Sequence, residues 1–232
     1  MLSDETKSIS RSYGVLIDQG EDAGLPLRGL FIIDPLVTIP LIIGCIMAFW
    51  FKRSKPAVYG VGIAMLYMGF ALAAHTFMER KFESAFTAQS ISVQSLMVRP
   101  TPFNTLFWAV SAITPDDSIV FGYGRLWDDA ASIEFSRPVR QHSNYLTDFI
   151  HRDDVKTLIS ITKGFYVVDK TSNSLIIHDL RFGRLGGWMY PDRNRFVFNY
   201  VLDVDTNLWS QFRPEMPDAG LMLSSLFNTI IN

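Results

Sequence analysis

The sequence predicts a membrane helical hairpin, with two transmembrane helices, followed by a mostly antiparallel α+β domain. Charged residues make up only 19% of the chain, against about a quarter in a typical soluble domain. The shortfall is confined to two apolar segments near the N-terminus, and the hydrophobic period changes to two after them. These observations divide the chain into a polar segment 1–29, a hairpin 30–90 and an α+β domain 95–232.

The two apolar segments have the length and composition of membrane spans. Leu30–Phe51 covers roughly 33 Å at a helical rise of about 1.5 Å per residue, enough to cross a hydrocarbon core of about 30 Å. Ala57–Phe77 is of similar length and contains small residues suited to close helix packing in lipid. Because the turn between them is short, we expect an antiparallel hairpin with the lipid bilayer as its partner.

After the second segment the pattern first stays helical and then becomes that of strands. Met78, Phe82 and Phe86 recur among charged residues, which predicts that the second helix continues to about Gln89. The predicted strands are Leu106–Ile113, Ser118–Leu126, Phe165–Asp169, Leu175–Leu180 and Arg195–Leu202. One helix is predicted over Thr147–Thr162. Consecutive strands joined by short turns favour an antiparallel sheet.

Charge and cysteine content exclude some classes of protein and indicate an orientation. A net charge of −2 argues against a dedicated nucleic-acid-binding protein. The single cysteine, Cys45, excludes a disulfide framework within one chain. Lys52, Arg53 and Lys55 are concentrated in the hairpin turn, so the positive-inside rule predicts a cytoplasmic turn and a C-terminal domain on the outer side.

Four short segments resemble those of a known family. They are Phe31–Leu36 (FIIDPL), Arg99–Trp108 (RPTPFNTLFW), Gly122–Gly124 (GYG) and Asp179–Gly183 (DLRFG). Together they are similar to motifs of a bacterial family of inner-membrane-associated, metal-dependent hydrolases, also labelled LexA-binding. The resemblance implies a bacterial inner-membrane location, a divalent metal as cofactor and a hydrolytic activity.

The chain also departs from the family's pattern. Family members carry His-rich motifs, the proposed metal ligands, before the Ile-Asp-Pro-Leu string, and no histidine precedes that string here. Ala109 stands where the family usually has arginine. We therefore expect either a truncated product or a member that has lost the metal-binding half, and in both cases a chain that is inactive by itself. The alternative is a non-catalytic, membrane-anchored module that binds a protein partner or lipid.

Three residues near the membrane are candidate metal ligands. An ionisable group at a membrane boundary is by default a functional hypothesis, and Asp34 either has such a role or caps the first helix before Pro35. His75 precedes Glu79 by four residues, so both could lie on one face of the second helix. They are either half of a metal site or a solvated boundary pair.

A second candidate site is polar and glycine-rich. Asp179, Arg181 and Arg184 flank the sequence Leu185-Gly186-Gly187. Two arginines beside such a loop could hold an anionic headgroup or a phosphate. The spacing matches no phosphate-binding fingerprint, so a structural Asp–Arg pair is the favoured interpretation.

Overall fold

A computed structural model describes residues 35–191, 193–215 and 217–231. Within these ranges the chain forms four α-helices: α1 (Pro35–Phe51), α2 (Lys55–Ala88), α3 (Asp153–Thr162) and α4 (Ala219–Ile231). The same ranges contain eight strands: β1 (Ser95–Pro100), β2 (Phe107–Thr114), β3 (Ser118–Arg125), β4 (Val139–Arg140), β5 (Tyr166–Lys170), β6 (Ser174–Arg184), β7 (Phe196–Asp203) and β8 (Trp209–Phe212).

Helices α1 and α2 form an antiparallel hairpin whose backbones approach closely at two glycines. A Cβ atom on Gly60 would lie 2.7 Å from the carbonyl oxygen of Pro40, and one on Gly44 would lie 2.8 Å from that of Pro56. Only glycine fits such a contact, which is typical of helix pairs that pack in lipid. Gly44 and Gly60 are therefore part of the helix interface.

Helix α2 is unusually long and has two different halves. In the described part of the chain it is the one helix that is long and apolar enough to cross a membrane. It extends to Ala88, so the predicted continuation beyond the apolar segment is confirmed. Helix α1 is apolar but has 17 residues in the described range, and residues 30–34 of the predicted first span lie outside that range.

Strands β1–β4 form an antiparallel sheet, sheet 1, which packs on the second half of α2. Met78 and Phe82 of α2 are fully buried and pack against Trp108 and Val110 of β2. Successive side chains of a β-strand point to opposite faces of the sheet. Trp108 and Val110 are two positions apart in β2, so both lie on the face toward α2. The amphipathic half of α2 is thus part of the domain core.

Strands β5–β8 form a second antiparallel sheet, sheet 2, enclosed between sheet 1 and α3. Val168, Leu175 and Leu202 are fully buried in the cluster that sheet 2 shares with α3. Ile119 of sheet 1 and Val167 of sheet 2 belong to the cluster between the two sheets. The antiparallel α+β prediction is confirmed, and its strands stack as two sheets with helices on the outer faces.

The sequence placed one helix start wrongly and missed four of these strands and helices. Helix α3 begins at Asp153, not at Thr147, because residues 147–151 form turns and Arg152 is extended. Two acidic residues occupy the first turn of α3, where the helix dipole favours them. The missed elements are β1, β4, β8 and α4.

The glycine contact gives a matched pair of substitutions. Gly60→Ala should lower the melting temperature of the detergent-solubilised chain, because its methyl group meets the Pro40 carbonyl. Gly62→Ala, with no neighbouring atom within 4 Å, should leave it unchanged or raise it, since alanine favours helix by roughly 1 kcal/mol over glycine. Equal effects of the two substitutions in a thermal-unfolding experiment would contradict the packing of this hairpin.

Candidate functional site

The turn between β1 and β2 is held together by its own side chains. Asn104 Oδ1 accepts the backbone N–H groups of Leu106 and Phe107 at 2.9 and 2.8 Å. Asn104 Nδ2 donates to Thr101 Oγ1 at 2.8 Å, and that hydroxyl donates to the Phe107 carbonyl. Asparagine favours turns through such bonds. The Pro-Thr-Pro-Phe-Asn-Thr string therefore encodes a rigid turn.

This turn lies beside the apolar half of α2. The hydroxyl oxygens of Tyr67 and Thr105 are 3.0 Å apart. Three residues further along the chain, the Trp108 ring lies edge-on to His75 with ring centroids 5.7 Å apart, and Trp108 Nε1 donates to the Thr105 carbonyl. Sheet 1 therefore runs along α2 well into the apolar segment.

Arg99, at the end of β1, joins the two sheets. Its Nη1 donates to the carbonyl oxygens of Leu180 and Arg181 at 3.0 and 2.6 Å. These carbonyls lie where the β6–β7 register is interrupted between Asp179 and Arg184. Nη2 of Arg99 donates to Ser111 Oγ of β2 at 2.5 Å. One guanidinium thus satisfies backbone oxygens that the β6–β7 ladder leaves unpaired.

The surroundings of Arg99 are tight and poorly solvated. A Cβ atom on Gly183, whose φ is +70°, would lie 3.2 Å from Arg99 Nη2. Burial lowers the pKa of Arg99 to about 10, opposed by nearby Tyr123 and Asp179. That pKa still keeps the guanidinium charged at neutral pH, so Arg99 is a cation enclosed between two sheets.

The second sequence-predicted site contains the expected acid–base pair. Arg181 Nη2 lies 2.6 Å from Asp179 Oδ2, and Arg181 Nε and backbone N–H also donate to this carboxylate. The Asp179 side chain is fully buried, and a buried carboxylate needs such partners. The geometry is that of a structural pair, the interpretation favoured from the sequence.

Arg184 lies apart from this pair, against an aromatic cluster. Its guanidinium carbon is 4.7 Å from the centre of the Phe121 ring, and its Nη1 donates to the Pro191 carbonyl. Burial raises the pKa of Tyr123, opposed by Arg184 and Arg99, and Tyr123 lies edge-on to Trp188. Among the described residues, the buried Arg184 Nε and Trp188 Nε1 have no hydrogen-bond partner. They are the donors that an anion or a water molecule would use here.

The structure brings together segments that are far apart in sequence. Arg99 of the first domain motif binds the carbonyls of the Asp179–Gly183 motif, 81 and 82 residues away. Tyr123 of the Gly122–Gly124 motif contacts Trp188, which follows Arg184. Sequence analysis did not single out Arg99 or Tyr123 as site residues. Their place in the motifs was the available signal, but the partner of each is set by sheet stacking.

Two of the three proposed metal ligands, His75 and Glu79, lie in the part of the chain that the structure describes. Asp34 lies outside the described residues. The His75 ring packs on Trp108, and Glu79 lines a groove between α2 and β1 together with Glu83. Across residues 35–191, 193–215 and 217–231, no group of three His, Cys, Asp or Glu side chains could hold a metal ion.

Arg99 should be essential for stability because it cannot be replaced without leaving backbone carbonyls unpaired. We expect Arg99→Met to lower the free energy of unfolding by about 1.5–3 kcal/mol, the range for hydrogen bonds to charged groups. The same change at the exposed Arg137 should have little effect. Denaturant titration of both variants in detergent checks this, and similar losses at the two positions would contradict the bridging role.

Comparison with known proteins gives only a short match. No family model matches the chain, and no solved structure matches it. A stretch of 35 residues, 15% of this chain, is 69% identical to mitochondrial thioredoxin-dependent peroxide reductases of Mus musculus, Rattus norvegicus and Homo sapiens. The chain covers 12% of the length of these relatives. A similarity of this extent shows no family membership.

Proposed function

We propose that the chain is a membrane-anchored, non-catalytic α+β module, held by the α1–α2 hairpin. The observation that carries this proposal is the apolar surface of the hairpin. Phe49, Trp50 and Leu66 are 89%, 79% and 78% exposed. Apolar patches of this kind mark a membrane or partner surface. Lipid is favoured over a protein partner because apolar residues are exposed along both helices.

The candidate site supports a structural module better than an enzyme. Asp179 is neutralised by Arg181, and Arg99 is occupied by carbonyls and by Ser111. A general acid or base needs a titratable group that reaches a substrate, whereas these groups are bonded to the protein itself. Metal-dependent hydrolysis therefore rests on the family resemblance alone, and the geometry favours a module that binds lipid or a protein partner.

In this proposal both hairpin helices cross the bacterial inner membrane. Helix α1 spans about 25 Å over its 17 described residues, and Lys52, Arg53 and Lys55 at the turn would reach the far headgroups. The concentrated positive charge puts the turn in the cytoplasm. The two sheets then lie on the outer side of the membrane.

Membrane integration can be tested with two similarly exposed isoleucines. Ile46 of α1 is 53% exposed and Ile150 of the domain is 48% exposed. We expect the unmodified chain and Ile150→Asp to stay in the membrane pellet after carbonate washing, and Ile46→Asp to be partly released. A charge at the centre of a span costs roughly 2.5–3.5 kcal/mol on insertion scales. Release of the unmodified chain into the soluble fraction would refute the membrane anchor.

Sidedness can be tested at the exposed Arg193 in the loop between β6 and β7. Trypsin added to intact spheroplasts should cut there, because the domain faces outward. An Arg193→Gln variant should lose that fragment, which identifies the cleavage site. Protection in spheroplasts together with cleavage in inverted vesicles would reverse the orientation.

A further inference from the structure

We propose that the β1–β2 turn, residues 101–105, inserts into the hydrocarbon region of the leaflet through which α2 leaves the membrane. The occupant of this surface is the acyl-chain region of a lipid bilayer. The inference rests on the proposed membrane anchor and extends it, because it gives the α+β domain its own contact with lipid.

The first argument is the position of the turn along α2. Exposed apolar side chains on α2 continue to Phe77, and the next charged residues are Glu79 and Arg80. The membrane boundary on α2 therefore lies just beyond Phe77. The turn is attached at Tyr67, ten residues nearer the hairpin tip, which is up to about 15 Å along the helix axis.

A second marker of the boundary comes from the domain side. Lys81 Nζ donates to the carbonyl oxygens of Leu126 and Asp128 at 2.6 and 2.7 Å. Between them, Trp127 is 55% exposed, and exposed tryptophans favour the headgroup level. Lys81 comes four residues after Phe77, so helix and domain place the interface at the same height. Leu106, whose carbonyl accepts the Leu126 N–H at 2.9 Å, lies at that height. The preceding part of the β1–β2 turn is attached nearer the hairpin tip, through Thr105 and Tyr67.

The third argument is the chemistry of the turn. Backbone polar groups enter hydrocarbon only when the protein itself satisfies them. Pro100 and Pro102 have no N–H group, and Asn104 bonds two further N–H groups and the Thr101 hydroxyl. The Thr105 hydroxyl is bonded to Tyr67. The hydroxyls of Thr101 and Thr105, the Asn104 side-chain amide and the N–H groups of Thr101 and Leu106 are therefore paired within the protein.

The tip of the turn is an apolar residue, Phe103, whose backbone is strained. Phe103 is 55% exposed and has φ = +63°, a region that residues other than glycine rarely adopt. Strain of this kind persists where the surrounding structure imposes it, and it often marks a functional position. The free energy of transferring an apolar ring from water into acyl chains is favourable. Exposure of Phe103 to water provides no such stabilisation.

The test uses three single-cysteine variants of the full chain, with Cys45→Ser as background, labelled with NBD and reconstituted in liposomes. Phe49→Cys reports the hairpin, Phe103→Cys the turn, and Pro115→Cys, exposed at the opposite end of sheet 1, the solvent side. We expect several-fold weaker iodide quenching at positions 49 and 103 than at position 115. Lipid-attached nitroxide should quench the first two labels and not the third.

The outcomes separate the two proposals. Strong iodide quenching at position 103 with protection at position 49 would overturn the inserted turn and leave the membrane anchor intact. Strong iodide quenching at position 49 would overturn the anchor itself. If thermal unfolding shows that Phe103→Cys does not fold, Pro102→Cys supplies the same measurement at the adjacent position, and iodide access there overturns the inference equally.

Discussion

The packing of α2 against sheet 1 is the interaction on which the rest of the structure depends. Met78, Phe82 and Phe86 of α2 are buried among Trp108, Val110 and Val120 of the sheet. Since the first half of the same helix carries the exposed apolar surface, no flexible linker separates hairpin and domain. The position of the hairpin therefore also sets the position and tilt of sheet 1, which packs on the same helix.

The contact between the two sheets depends on a small number of polar groups inside an apolar interface. Ile119, Phe121 and Val167 supply the apolar surface, and burial of such surface is the main source of stability. It is not directional, however. Arg99 adds direction, because its hydrogen bonds to β6 carbonyls and to Ser111 exist in one register. A shifted stacking would leave a charged guanidinium without partners.

Sequence patterns predicted the elements that local periodicity encodes. They missed elements that form because a neighbouring strand is available for pairing. The strands β2, β3, β5, β6 and β7 and the long α2 follow from alternation and helical spacing. Short β8 borders β7 at the edge of sheet 2 and exists because β7 offers it a partner. In the same way β1 pairs with β2 over all six of its residues, although its own alternation is weak.

The contacts of the candidate site likewise include one that is local in sequence and one that joins distant segments. The Asp179–Arg181 pair is two residues apart and could be predicted locally, whereas the contact of Arg99 with Leu180 joins residues 81 positions apart. No periodicity carries that information, because it depends on how two sheets stack.

By itself, the sequence determined that this protein has an apolar hairpin, an antiparallel α+β domain and a basic turn, since composition and hydrophobic period act over neighbouring residues. Only the tertiary structure decided that α2 belongs to both parts, that Gly44 and Gly60 are the contact between the helices, and that the β1–β2 turn lies beside Tyr67. These features arise from close packing between distant segments. The free energy of each contact depends on which surfaces pack together. That pairing of surfaces is determined by the fold of the whole chain.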